Sequence, residues 1–406
     1  FILWIGLGFI GVGQNMFRSW EEGKEAAAMV VAIGVIAFAI GLCCSGVHRA
    51  LARLAPVPRD TLSVPIVWTL LVISVAMFAF GYGIAPHISP QLIRIAGALV
   101  GAGLGAAGVL SILLMTAFRG AILSKLLGVV MLTLVIGSMA FLLFSRRPIP
   151  GLLGALVGVV YHIHVRHRSL GTRLVFLGSS AGVVVIAVLF LTAFRGFLVK
   201  GSSSRVSSES TARSLIGGVT INIEVLEFVT VTYGTDYDYL NGSGMVPAVL
   251  WWIPRAAWPG KPIPSGGIVS DQYTGGKSFS VASTIFGEVY QNFGLPGIPV
   301  WMFIFGILVG TITRILRDNE HNLTLWVAWF IVIPDFIGEW RGDLTSMSVQ
   351  GFLRVAFFLA ATWALGKAFP KAAPMRMPVG APRRRLSDEY IRVGEARPRR
   401  VRVQGI

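Results

Sequence analysis

Charge is scarce in this chain. Asp, Glu, Lys and Arg together make up 13% of its 406 residues, against about 25% in an ordinary soluble domain. Acidic residues are the rarer kind, 19 against 35 basic ones. With 54% of the residues hydrophobic, a single aqueous core is excluded, because such cores stop growing near roughly 250–300 residues. Cysteine is almost absent. The two present, Cys43 and Cys44, are adjacent in an apolar run. That spacing excludes a disulfide framework and a cysteine metal site, leaving small helix-packing residues. No Walker or dinucleotide-binding loop occurs, so ATP-driven transport has no support. No HxxxH or HExxH occurs either, and His162 and His164, two apart, fall on different helix faces. The chain opens on Phe1 inside an apolar run without a charged flank or a small-residue cleavage site, which reads as a truncated span and not as a signal peptide.

What remains is hydrocarbon-seeking helix. A spanning helix needs about 20 mostly apolar residues. Ten stretches qualify: 1–13, 26–44, 64–84, 92–118, 121–144, 151–165, 174–194, 296–316, 323–340 and 347–366. The fold class expected is therefore an all-α polytopic membrane protein with about ten transmembrane helices and one large periplasmic loop. Basic residues orient it. His48, Arg49, Arg53 and Arg59 fill one connection. Arg119 and Lys125 mark another, Arg166, Arg168 and Arg173 a third, and Arg314 and Arg317 a fourth. Ten helices put all of these, and the tail, on one side, the cytoplasm. Arg146 and Arg147 depart from the pattern. A net charge of +16 would suggest nucleic acid in a soluble protein. Here it reports loop topology, and no nucleic-acid partner is expected.

Four regions follow: N-terminal helices over 1–194, an outer loop over 195–295, C-terminal helices over 296–366 and a basic tail over 367–406. The tail carries eleven Lys or Arg against three acids and is expected to be disordered against anionic lipid. In the outer loop, 201–210 is Ser-rich and 245–258 holds Trp251, Trp252 and Trp258, a composition suited to the membrane interface. The β-branched stretch 218–233 fits a strand by alternation, yet Glu224 and Glu227 would share one helix face. Periodicity leaves both open. Asp236-Tyr237-Asp238 follows Gly234 and reads as an exposed turn, not a metal pair.

The chemistry concentrates in 251–297, which is rich in Gly, Pro and aromatics with single, spaced charges. Arg255 lies between Pro254 and the Trp258-Pro259 pair, and Lys261 precedes Pro262. Prolines stiffen the backbone around both cations, a pairing suited to a phosphate or pyrophosphate. Headgroup snorkelling is the structural alternative. Glu288, among aromatics just before a span, is a candidate general base with a raised pKa. A salt bridge or cap is its structural alternative. Glu339, Arg341 and Asp343 crowd the last outer connection, Asp335 sits within the preceding span, and Arg195 closes the helix before the long loop. Charges in such places are costly unless paired or hydrated.

Three elements carry a family resemblance. The first is Ile253-Pro254-Arg255 through Trp258-Pro259-Gly260-Lys261-Pro262. The second is Gly287-Glu288-Val289-Tyr290-Gln291-Asn292-Phe293-Gly294 running into Pro296-Gly297. The third is Arg341-Gly342-Asp343. Together, over about a quarter of the chain, the arrangement resembles bacterial oligosaccharide repeat-unit polymerases, the Wzy-type O-antigen polymerases. The resemblance implies a GT-C-like enzyme of the bacterial inner membrane. Such enzymes act at the periplasmic face on undecaprenyl-pyrophosphate-linked oligosaccharides, need no metal or other cofactor, and move the growing glycan onto the next repeat unit. It implies Arg255, Lys261, Arg341 and Arg195 at the pyrophosphate, Glu288 then Asp343 as the base, and Tyr290 and Trp258 along the sugar path. The expected partners are the lipid-linked oligosaccharide and membrane lipids, with a polysaccharide chain-length regulator as a further candidate. An O-antigen ligase or other lipid-linked sugar transferase differs only in acceptor. A transporter or flippase would place charges in mid-membrane on broken, repeated halves, and no repeat is evident.

Overall fold

The structure is a computed structural model. It describes residues 21–80, 106–115, 122–141, 148–166, 168–183, 186, 223–250, 253, 257–276, 281, 284–339 and 344–370. The described residues are mostly helical and form no strand. The helices, in chain order, are α1 (Glu21–Cys43), α2 (Ser45–Leu54), α3 (Val64–Ala79), α4 (106–115), α5 (Ile122–Phe141), α6 (Pro148–Val160), α7 (170–183), α8 (223–232), α9 (Val246–Val249), α10 (Ser265–Thr274), α11 (Thr284–Asp318), α12 (Leu323–Glu339) and α13 (Leu344–Ala368). The expected span over 1–13 and the tail from 371 lie outside the described residues, as do parts of the spans over 92–118 and 174–194 and the Ser-rich stretch 201–210.

α11 is two helices joined at Gly294, whose φ of 66° and ψ of −164° lie in a region that glycine alone enters without strain. The Tyr239 ring packs over this glycine, within 3.1 Å of where a Cβ would stand. Pro296 then falls in the first turn of the second piece, where its missing N–H costs nothing. α1 runs beside α11 and the two backbones nearly touch. A Cβ at Gly41 would collide with the Phe303 carbonyl, and one at Gly306 with the Phe38 carbonyl. Small residues at a crossing are the usual way apolar helices approach closely. Phe286, Ile298 and Met302 of α11 close a core with Ala27 and Val30 of α1. A second core joins α3, α4, α5, α6, α12 and α13 through Ile66, Leu110, Val135, Ala155, Ile331 and Phe358.

One end of this bundle gathers basic connections. Asn322 Nδ2 donates to the Pro58 carbonyl at 2.6 Å and Thr324 Oγ1 to Asp60 Oδ1 at 3.0 Å. Arg166 Nη1 meets Glu320 Oε2 at 3.2 Å. Arg59, Arg166 and Arg317 thus share one end, as the sequence pattern expects. The short stretch 151–165 is α6 continued by a π-helical turn over Tyr161–Val165. The turn sets His162 against Trp326, with ring centroids 3.7 Å apart and the planes tilted. His162 is buried and His164 exposed, the divergent faces their spacing implies.

Among the described residues, two helices, Gly23–Cys43 and Thr284–Asp318, are long and apolar enough to cross a membrane. Many large apolar side chains elsewhere point outward, among them Ile122, Leu123, Leu174 and Val175, each more than 60% exposed. That outward face suits hydrocarbon better than water. Cysteine packing departs from expectation. Cys43 is exposed, and Cys44 stands at the break between α1 and α2 with its Sγ on the Ile40 carbonyl at 3.4 Å.

Candidate functional site

The stretch whose periodicity was ambiguous is helix α8. Glu224 and Glu227, three apart, lie on one face and are 1% and 0% exposed. α8 packs on α10 through Val225, Phe228, Val229, Tyr233 and Val269. Hydrogen bonds tie three elements here. Tyr273 Oη of α10 donates to Glu224 Oε2 at 3.2 Å. Tyr233 Oη donates to Gln272 Oε1 at 2.6 Å. Gln291 Nε2 of α11 donates to the Tyr233 oxygen. The Asp236-Tyr237-Asp238 segment is an exposed turn, closed by the Gly234 N–H on the Tyr237 carbonyl at 2.7 Å.

Glu288 lies on the short piece of α11 before the Gly294 break and is 1% exposed. Asn292, one turn later and fully buried, organises its surroundings. Its Nδ2 donates to the Glu288 carbonyl at 2.8 Å and to Ser265 Oγ at 2.9 Å, and its Oδ1 accepts the Gly244 N–H at 3.2 Å. Every polar atom of this amide except its second acceptor lone pair is engaged. One side chain thereby fixes the Glu288 helix, the start of α10 and the turn before α9. α10 begins directly after Lys261-Pro262-Ile263-Pro264, so the cationic segment and the carboxylate sit on bonded elements.

Lys261 is half-buried. Its Nζ donates to the carbonyls of Leu250 and Ile253, each at 2.9 Å. The ammonium thus ties Leu250 and Ile253 back to Lys261. Trp258 is half-buried, and its carbonyl accepts the Lys261 N–H at 3.0 Å. Tyr290 is half-buried. Its hydroxyl reaches the Thr230 carbonyl at 3.4 Å, and its ring stands edge-on to Tyr239 with centroids 6.1 Å apart. Arg255, Arg341, Asp343 and Arg195 lie outside the described residues. Of the residues expected at the site, the structure thus describes Glu288, Lys261, Tyr290 and Trp258. Sequence reading missed Asn292, although its placement four residues after Glu288 puts it on the same helix face. It also gave no role to Tyr273 and Gln272, which carry no local signal.

Glu224 lies outside the candidate membrane spans. Burial pushes its carboxyl up from 4.5 to about 7. The Tyr273 hydrogen bond opposes this, and the neighbouring Glu227 carboxylate adds to it. A carboxyl whose folded pKa exceeds its unfolded one favours the fold while neutral. Its full contribution is present below about pH 4.5 and is lost as pH climbs through about 7. Over that window the loss is on the order of 3 kcal/mol. Detergent-solubilised protein should therefore lose thermal stability between pH 5 and pH 8, and Glu224→Gln should flatten that slope. An unchanged slope in the variant would remove Glu224 as its source.

A family model described as "Putative O-antigen polymerase" matches residues 266–333, about one sixth of the chain. The match covers most of α10, all of α11 and the first part of α12, and so includes Glu288, Tyr290 and Asn292 but not Lys261. No curated protein and no solved structure matches the chain. By the segment that carries Glu288, the chain is similar to O-antigen polymerases.

Proposed function

We propose that this protein polymerises lipid-linked oligosaccharide repeat units into a surface polysaccharide. In this reading it is a multi-pass protein of the bacterial inner membrane with about ten spans. The 195–295 loop faces the periplasm and carries the active site between the helices of 1–194 and 296–366, and the 367–406 tail lies at the cytoplasmic face. The donor is an undecaprenyl-pyrophosphate-linked glycan and the acceptor a sugar hydroxyl of the next unit.

The reaction forms a bond between the acceptor oxygen and the anomeric carbon of the donor. The bond from that carbon to the pyrophosphate oxygen breaks, and undecaprenyl pyrophosphate departs with the electron pair. Glu288 takes the hydroxyl proton, with Asp343 as the second candidate. Arg255, Arg341 and Arg195 neutralise the leaving group in place of a metal ion. Lys261 adds positive charge, and its Nζ ties the Leu250 and Ile253 carbonyls together. Tyr290 and Trp258 border the sugar path.

The observation that carries this reading is the Asn292 junction. It bonds the helix bearing Glu288, which lies in the segment similar to O-antigen polymerases, to Ser265 at the start of the element that follows Lys261. The test is synthesis by purified protein from undecaprenyl-pyrophosphate-linked repeat units, with EDTA and no nucleotide. A ladder of multiples supports the polymerase. Transfer only to an added core lipid assigns a ligase. No transfer to any acceptor overturns both.

A further inference from the structure

Helix α2 has two outer faces of opposite character. Val47, Leu51 and Leu54, spaced four and three apart, form one exposed apolar stripe, with Leu54 81% exposed. Arg49 and Arg53, four apart, lie about half a turn away at 3.6 residues per turn and are exposed as well. Arg49 Nε donates to the Ser45 carbonyl of its own helix at 3.4 Å. Among the described residues, neither guanidinium meets a carboxylate. The remaining face is anchored. His48 is buried, and its ring fills the space over Gly310 of α11, where a Cβ would collide with it. Its Nε2 donates to the Gly41 carbonyl of α1 at 3.0 Å, across the break at Cys44. One side chain thus pins α2 to α1 and α11 and sets which faces turn outward.

Helix length fixes the level at which this happens. The apolar part of α1, Gly23–Cys43, has 21 residues, about 31 Å of helix, against a hydrocarbon layer about 30 Å thick. α2 therefore begins where hydrocarbon ends, among the headgroups. What covers it there has to offer apolar surface on one side and negative charge on the other. The chain's own tail fails on charge, with eleven Lys or Arg against three acids. A second copy of α2 would set arginine against arginine. An anionic phospholipid has both parts, acyl chain for the stripe and phosphate for the guanidiniums. A helix with an apolar stripe opposite a basic face is the form that rests at this boundary.

We propose that α2 is a docking helix for anionic phospholipid of the cytoplasmic leaflet, with Arg49 and Arg53 holding the headgroup and Val47, Leu51 and Leu54 seated at the acyl boundary. This rests on the membrane placement proposed above and not on the polymerase chemistry. Full-length protein in neutral detergent is titrated with phosphatidylglycerol and with phosphatidylcholine, following thermal stabilisation. Wild type should reach half of its stabilisation at about 30-fold less phosphatidylglycerol than phosphatidylcholine, the effect of two basic residues at an anionic surface. Added salt should narrow that preference. Arg49→Gln/Arg53→Gln should lose most of it. Arg383→Gln/Arg384→Gln/Arg385→Gln, which removes the same kind of charge from the tail, should keep it. Leu51→Ser/Leu54→Ser should weaken both lipids alike.

A preference kept intact in Arg49→Gln/Arg53→Gln, or absent from wild type, overturns the proposal. A preference lost equally in the tail variant makes the attraction a matter of net charge and overturns α2 as a site. Should the α2 variant fail to fold, a photoreactive phosphatidylglycerol on wild type decides. Crosslinks within 45–54 support the site, and crosslinks confined to other segments overturn it. A change of oligomeric state in the α2 variant, with lipid preference unchanged, would give the surface to a second copy and overturn the lipid assignment. Lipid preference without any polymer would instead sink the polymerase reading and keep α2 as a phospholipid-docking helix.

Discussion

Glu288→Gln is expected to lower polymer formation by about 10²–10⁴-fold, the usual contribution of a positioned general base. The amide matches the carboxylate in size and keeps the packing of a side chain that is 1% exposed. The backbone carbonyl that Asn292 binds is untouched. Membrane abundance and thermal stability should therefore remain near wild type, and affinity for the lipid-linked donor should change little. Such a split, with turnover falling and binding kept, is what removal of a transition-state interaction produces. Polymer formed at the wild-type rate by Glu288→Gln would transfer the base to Asp343 or to another group.

Arg255→Ala is expected to abolish polymer while leaving the protein folded in the membrane. On the proposed reading, the leaving pyrophosphate develops negative charge as its bond to the anomeric carbon breaks, and a guanidinium there lowers the barrier directly. Arg255→Lys should recover part of the activity, since charge returns without the two-pronged geometry. Lys261 differs. Its donors to the Leu250 and Ile253 carbonyls make it part of the loop's framework, so its removal disturbs loop shape as well as charge. Normal polymer length from Arg255→Ala would contradict the assignment.

Much of the helical frame was legible because hydropathy and helix share a cause in apolar surface. The expected span over 323–340 corresponds to α12, Leu323–Glu339. Boundaries moved where polar residues continue a helix that hydropathy stops counting. α1 is already helical at Glu21, ahead of 26, and α13 at Leu344, ahead of 347. The span expected from 296 was signalled by Gly294 and Pro296, and the backbone does break at Gly294. The stretch now seen as α8 was not legible, because β-branched alternation and a two-glutamate helix face point opposite ways. Packing against α10 and the Tyr273 bond to Glu224 are tertiary, and decided it.

The site divides similarly. Glu288 and Lys261 stood out as isolated charges in a Pro- and Gly-rich stretch. The engagement of Lys261 with two carbonyls depends on chain folding over eleven residues and leaves no local signature. Asn292 works by joining residues 27 and 48 positions away, beyond any local pattern.

The central claim is polymerisation of a pyrophosphate-linked glycan, and one cell-free reaction tests it most directly. Purified protein receives a synthetic undecaprenyl-pyrophosphate repeat unit with EDTA present and nucleotide absent, and products are resolved by size. A ladder of integral repeat multiples is expected, which Arg255→Ala and Glu288→Gln do not produce. Unextended substrate under every acceptor condition, from protein that still binds the lipid, would contradict it.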